Sequence, residues 1–248
     1  MRIAIMQPTY LPWMGYFALI DRVDIFVLLD DVEFNERSWQ QRNQIKSTDG
    51  PMWLTVPVLK SGRRGQVIQD VEINTDERWQ DKHRKSIQFN YAGADYLSEM
   101  EDWLESTYEQ EWENLCALNV HGIKTLAAKL DLEVEYVLSS SLNAAGQKTE
   151  RLVNICRELG ATEYLSPLGS REYIAEDNPF PEAGIELRYQ NFEHPTYEQQ
   201  HGDFVSHMSV IDLLLNEGPE SRSILRSGER RPYTSEEAKE VEKEETVS

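Results

Sequence analysis

The sequence predicts an open α/β fold with a mainly parallel sheet, into which a β-hairpin and an extra helical segment are inserted. Three observations carry this. A short apolar run over residues 3–6 stands at the start of the chain and is stopped by Pro8, as buried strands often are. A second apolar run, residues 25–29, follows one short helical pattern and ends in two carboxylates, Asp30 and Asp31. Strand-like and helix-like stretches then alternate to about residue 218, the signature of βα units.

Taken in order, residues 14–21 read as a helix with Phe17 and Ile20 on one side, and residues 24–29 return to strand. Residues 40–45 and 53–56 flank a segment containing Asp49-Gly50-Pro51, which predicts a hairpin with a loop longer than two residues. Residues 67–73 read as a further strand, and 76–90 as a helix carrying Trp79, His83 and Ile87. The clearest helical pattern covers 107–130, with Ser106 and Glu109 at capping-box spacing and a stripe of Trp112, Leu115, Cys116, Ile123, Leu126 and Leu130. A strand at 133–138, an amphipathic helix at 149–159 stopped by Gly160, and short strands at 163–165 and 185–189 follow. A core helix at 205–216 closes at Gly218-Pro219. Residues 1–218 thus form the α/β domain and 219–248 an acidic, disordered tail, because residues 236–245 hold six acidic and two basic side chains with almost no apolar content.

The chain has 248 residues, 40% of them hydrophobic, enough for a sizeable core. With 25 basic and 44 acidic residues its formal charge is −19. That argues against broad binding to nucleic acid or to anionic membranes, though not against a small basic pocket. The longest apolar stretch is far too short to span a bilayer, and the N-terminus lacks a signal-peptide pattern, so a cytoplasmic protein acting on a small molecule is expected. Cys116 and Cys156 lie in apolar helical patterns. A disulfide is one option; two reduced core thiols fit that context better. No Cys/His spacing resembles a zinc site.

In an open sheet the binding crevice forms from loops at the carboxyl ends of the strands, which puts Gln7, Asp30 and Asp31 at its lip. Asp30 and Asp31 suit a substrate hydroxyl, amine or metal, with a helix cap or turn as the alternative. Three polar residues fall where a core side chain is expected. Asn119 lies within about 20° of the direction of Trp112 at ~100° per residue, Asp212 sits beside Met208, Ile211 and Leu215, and His83 is one turn after Trp79. Buried polar groups belong to structural networks or to pocket walls; His121, by the same geometry, points away and is expected to be exposed. Lys148, just before a helix, and the free amides behind it suit an anion, the alternative being a solvated lysine. Residues 166–170 (Ser-Pro-Leu-Gly-Ser) offer backbone amides without the lysine or spacing of a P-loop. Residues 194–199 (His-Pro-Thr-Tyr-Glu-Gln) add Tyr197 to a loop after the last strand, while His201 and His207 read as surface residues.

These motifs together resemble the WbqC-like protein family. The resemblance rests on residues 3–17 (Ile-Ala-Ile-Met-Gln-Pro-Thr-Tyr-Leu-Pro-Trp-Met-Gly-Tyr-Phe), Asp30-Asp31, residues 37–43 (Arg-Ser-Trp-Gln-Gln-Arg-Asn), residues 53–57, Trp79 through His83, Asn119, residues 148–160, 164–166 and 194–199, and 209–218. The family occurs in gene clusters for O-antigen and related polysaccharides. The resemblance implies transfer of a small acyl or aminoacyl group, such as glycine, onto an amino sugar or similar acceptor in polysaccharide or secondary-metabolite biosynthesis. Residues 8–19 are also similar in layout to the opening of adenylate-forming enzymes related to pantothenate synthetase, which implies a Rossmann-like sheet of the nucleotidylyltransferase type and a nucleotide or acyl donor as cofactor. Where those enzymes have two histidines, this chain reads Trp13-Met-Gly-Tyr16, keeping the glycine alone. Two functions are therefore expected: a transferase with His83 as base and Asp212 supporting charge, or a non-catalytic protein that binds a nucleotide or sugar nucleotide. In the first, Gln7, Pro8, Tyr10, Gly15, Tyr16, Asp30, Asp31, Trp39, Asn43, Asn119, Lys148, Ser166 and Tyr197 bind the substrate.

Overall fold

The computed structural model describes residues 1–176 and 178–241. The elements, in chain order, are β1 (Arg2–Met6), α1 (Met14–Ile20), β2 (Ile25–Leu28), β3 (Arg42–Ser47), β4 (Gly50–Thr55), α2 (Trp79–Asn90), α3 (Glu101–Tyr108), α4 (Leu115–Lys129), β5 (Glu135–Leu138), α5 (Lys148–Glu158), β6 (Glu163–Ser166), α6 (Arg171–Glu176), β7 (Glu186–Tyr189), α7 (Val210–Glu217), α8 (Ser221–Ser227), β8 (Tyr233–Thr234) and α9 (Glu237–Glu240).

Six strands form one sheet in the order β5-β2-β1-β6-β7-β8. All neighbours run parallel except β8, which pairs antiparallel with β7. The central strands are short and apolar on both faces because both faces are covered. Ala4, Phe26 and Leu28 pack on one side with α1, α4 and α7, while Ile3, Ile5 and Val27 pack on the other with Leu152, Ile155 and Cys156 of α5. From β1 the chain winds outward through β2 and β5, then returns to place β6 and β7 on the other flank of β1. The reversal falls between β1 and β6, and the loops leaving their carboxyl ends diverge there, which is where open sheets of this kind form a crevice.

The antiparallel hairpin β3–β4 stands apart from this sheet. Ser47 pairs with Gly50, so its turn is the two residues Thr48 and Asp49, tighter than the sequence predicts. Gly50 makes this possible with a φ of 98°, which a side chain would resist. Residues 67–73 form no strand; a short 3-10 turn at Ile68–Asp70 sits between single bridges from Val67 to Glu33 and from Ile73 to Val58.

The long helix expected over 107–130 is two helices. The chain breaks after α3, and α4 starts afresh with Asn114 as its cap, the Asn114 Oδ1 accepting from the Ala117 amide at 2.9 Å. The side chain and position of an N-cap outweigh helical periodicity here. Trp112 therefore lies outside α4, its indole donating to the Thr107 carbonyl. His121 packs against Trp112 with ring centroids 5.1 Å apart and is half-buried rather than exposed. The last core helix begins later than expected, at Ser209, which caps it.

Residues 219–241, assigned to the tail on composition, carry α8, β8 and α9. Leu225 and Ala238 are buried, and β8 pairs with the edge strand β7. Few apolar residues suffice because β7 supplies a ready edge for main-chain pairing. Residues 242–248 lie outside the described residues. Both cysteines are free and buried, and burial pushes each thiol up to about 12. Among the described residues no helix is long and apolar enough to cross a membrane.

Candidate functional site

Three polar networks contain most of the candidate residues, and they differ in how closed they are.

The first sits at the carboxyl ends of β2 and β5. Asp30 is buried, and its carboxylate accepts from the Ser139 hydroxyl (3.0 Å), the Ser140 amide (2.9 Å) and the Ser140 hydroxyl (2.7 Å). Asp31 follows it with its side chain 19% exposed; it accepts from Ser139 at 2.6 Å and forms an ion pair with Arg151 of α5. The parallel pairing of Leu28 with Leu138 brings the two strand ends level. Arg151 also donates to the Ala144 carbonyl, and its Nε is buried without a partner. Ser139, Ser140 and Arg151 are absent from the sequence-based candidates. The serines had a weaker form of the Asp30 signal, polar residues directly after a strand, here the edge strand β5; Arg151 had none, being one basic residue on the polar face of a helix.

The second network holds the loop after β1. Asn119 of α4 donates to the carbonyls of Pro8 (3.1 Å) and Gln40 (2.7 Å), leaving its own Oδ1 buried and unpartnered. Asn43 of β3 donates to the Leu11 carbonyl at 2.6 Å, fixing a residue whose φ of 45° is unfavourable for a leucine. Gln40 donates to the Gln7 side chain at 2.8 Å, Tyr16 to the Gln7 carbonyl at 3.1 Å, and Gln190, just past β7, to the Gly15 carbonyl at 2.8 Å. The loops after β1 and β7 are thereby tied together. The Tyr10 hydroxyl, fully inside, bridges His83 Nδ1 and the Tyr108 hydroxyl, both at 2.8 Å. Burial pushes the His83 imidazole down to about 4, against a smaller upward effect from a backbone hydrogen bond to Thr55. The ring is thus neutral at pH 7, and burial pushes the Tyr10 hydroxyl well above its ordinary value. Gly15 has a specific reason to be glycine: a Cβ there would collide with the Trp13 ring.

The third network centres on Asp212 of α7, which has no exposure. Its carboxylate accepts from Tyr91 (2.6 Å), Tyr197 (2.8 Å) and Gln199 (2.9 Å). Burial raises its pKa, and the three hydrogen bonds oppose that rise. Lys46, buried beside it, donates to the Asp203 carbonyl at 2.5 Å. These groups bolt the long segment between β7 and α7 onto α2 and the hairpin. In the same segment His194 lies against Trp13 and His207, and its Nε2 accepts from the His207 amide. His207 and His201 are both engaged; the latter's Nε2 lies 2.6 Å from the Asn90 carbonyl.

The hydrogen-bond networks of His83, Asn119 and Asp212 share no residue directly. Tyr10 and Pro8 link the first two through one loop, while Asp212 belongs to the third group. Lys148 is exposed at the start of α5 with a φ of 50°. Ser166 is buried, paired with Ser170 at 2.5 Å. Trp39 is 48% exposed and stands beside Trp53, 38% exposed. An open cavity of about 500 Å³ lies at the opposite, amino end of the sheet, lined by Arg2, Asp21, Arg22, Asp24, Arg226 and Glu229. Its Arg226 pairs with Asp21, and its Arg22 with Glu229. Among the described residues no group of three His, Cys, Asp or Glu side chains is placed to hold a metal.

The family model of the WbqC-like protein family matches residues 7–224. The chain belongs to this family. The matched span contains every candidate residue from Gln7 to Asp212 and extends into α8. This WbqC-like protein is also similar to the uncharacterized protein Rv1507c of Mycobacterium tuberculosis, with 36% identity over 227 residues, 91% of this chain and 97% of that one. No solved structure matches it.

Proposed function

We propose that this WbqC-like protein is a cytoplasmic transferase that moves a small acyl or aminoacyl group onto an amine of a small-molecule acceptor, an amino sugar or a similar compound, in polysaccharide or secondary-metabolite biosynthesis. The observation that carries the reading is the Asp30–Asp31–Ser139–Ser140–Arg151 cluster at the carboxyl ends of β2 and β5. A carboxylate pair held by hydroxyls and one guanidinium suits an amine, which needs an acceptor for its proton as it attacks.

In this reading the acceptor nitrogen bonds to the donor's carbonyl carbon, the donor's leaving group departs with the bonding electron pair, and the amine's proton passes to a base. We assign that base to Asp31, which keeps solvent access, with Asp30 fixing its position. Gln7 and Lys148 orient the two substrates at the mouth. His83, 6% exposed, and Asp212 support the walls through Tyr10 and Tyr197. Incubating the protein with glycyl donors and glucosamine derivatives, with mass spectrometry of the acceptor, tests the assignment. Asp31→Asn is expected to abolish the mass increase with an unchanged melting temperature. A folded, fully active Asp31→Asn protein moves the base elsewhere, and loss of activity in a folded His83→Ala protein would return it to the imidazole.

The absence of both histidines from Trp13-Met-Gly-Tyr16 favours a second reading, a non-catalytic binder of a nucleotide or sugar nucleotide. Calorimetric binding of a nucleotide sugar, with no product from any donor–acceptor pair, decides for this reading.

A further inference from the structure

Most of the large aromatic side chains in this protein are buried, yet two tryptophans meet in solvent. Trp39 and Trp53 lie with ring centroids 5.3 Å apart and planes inclined at 38°. Arg42 lies with its guanidinium carbon 4.1 Å from the centre of the Trp53 ring. All three belong to the hairpin and the turn before it. Trp53 pairs in register with Gln44, and Arg42 with Thr55, so Arg42 and Trp53 share the hairpin's outward face.

The Arg42 guanidinium makes no hydrogen bond or ion pair among the described residues, and its Nε is buried without a partner. In a chain with 44 acidic residues, a guanidinium left without a carboxylate beside two exposed indoles offers an anion its two terminal nitrogens, the buried Nε being out of reach. The backbone under it is rigid: the Tyr10 amide donates to the Trp39 carbonyl, the Asn35 amide to the Gln40 side chain, and the Gln41 side chain to the Val56 carbonyl. Preorganised aromatic surface of this kind loses little entropy when it binds. The Trp39 carbonyl also fixes the location. It is bonded to the loop after β1, and the next residue, Gln40, reaches Gln7 at the lip of the crevice.

We propose that Trp39, Trp53 and Arg42 form a sugar-phosphate subsite, with the sugar ring on the inclined indoles and the phosphate on the guanidinium. The two indoles pack on each other at a tilt and remain 48% and 38% exposed, so apolar ring surface is left for the C–H face of a sugar. A guanidinium presents a planar fork matched to phosphate oxygens. The subsite deepens the transferase reading, on which it rests for the acceptor class: the phosphate end of an amino-sugar phosphate is held at the hairpin while its amine points to the Gln7 side.

Tryptophan fluorescence titration of the full chain with glucosamine 1-phosphate, UDP-glucosamine, glucosamine and inorganic phosphate tests it. Saturable quenching by either phosphorylated sugar is expected, with glucosamine and inorganic phosphate each at least about tenfold weaker, equivalent to ~1.4 kcal/mol. Whichever phosphorylated sugar binds more tightly names the source, and both results support the subsite. Trp53→Ala and Arg42→Gln, each on the outward face, are expected to weaken binding about tenfold, read by calorimetry alongside unchanged melting curves. The subsite is overturned by inorganic phosphate binding as tightly as the sugar phosphate, by folded variants that bind like the parent, or by a dimer that Trp53→Ala dissociates. Binding without turnover would sink the transferase reading and leave the subsite standing. Turnover with an unchanged KM in Trp53→Ala would do the reverse.

Discussion

Asp30 and Asp212 are both buried aspartates with three or more hydrogen-bond donors, yet their surroundings differ. Asp212 is enclosed by Tyr91 at the end of α2 and by Tyr197 and Gln199 of the segment between β7 and α7. Asp30 is held by two consecutive serines of one short turn, and its neighbour Asp31 stays in contact with solvent. The first is a bolt between distant parts of the chain. The second is the inner half of the proposed site, whose outer half is reachable. Burial of a charged residue therefore does not identify chemistry; what matters is whether an adjoining group remains accessible.

The difference is measurable. Asp212→Ala removes the acceptor of the buried Tyr91 hydroxyl and of the half-buried Tyr197 hydroxyl, while the Gln199 amide keeps the Val205 carbonyl, and is expected to cost about 2–4 kcal/mol in urea unfolding. A loss under 1 kcal/mol would place Asp212 outside the class of structural bolts. Acid comes next in size. The folded His83 value of about 4 lies below the ordinary 6.5, so between these pH values the unfolded chain binds more protons and stability falls as pH drops. The full effect, on the order of 3 kcal/mol, is reached below about pH 4. Asp212, raised by burial, acts in the opposite sense, so the difference between the parent and His83→Gln at pH 7 and pH 4.5 isolates the imidazole. Equal pH dependence in the two proteins would contradict a neutral buried His83.

Asn119→Ala removes the donor to two carbonyls of the β1 and hairpin loops and is expected to cost about 2 kcal/mol. Hydrogen exchange of residues 7–13 should rise with it; protection unchanged there would mean that the loop is held by other contacts. Smallest in stability is Asp31→Asn, expected below ~1 kcal/mol for a partly exposed ion pair. Its effect on turnover is expected to be a loss of about a hundredfold or more. Comparable losses of stability from Asp31→Asn and Asp212→Ala would erase the distinction between bolt and site.

The legible parts of the candidate site were those that follow a strand. Gln7, Asp30 and Asp31 stand directly after apolar runs, and β1 and β2 put them at one end of the sheet. Asn119, His83 and Asp212 were legible as polar residues on apolar stripes, and all three are buried. Their partners were not legible, since Tyr10, Tyr108, Tyr91 and Gln199 are separated from them by up to 121 residues for Asp212 and Tyr91. Periodicity failed where caps and turns govern. Asn114 ended one helix pattern and began another, and Gly50 tightened the hairpin.

By itself the sequence determined the family, the alternation of strands and helices, and the carboxylates at the end of β2, because these depend on local residue order. The tertiary structure alone decided which of the buried polar residues share a network, since a hydrogen bond between remote segments leaves no periodic trace. It also decided that residues 219–241 fold: their composition is that of a solvated segment, and the free edge of β7, which pairs with β8, is supplied by another part of the chain.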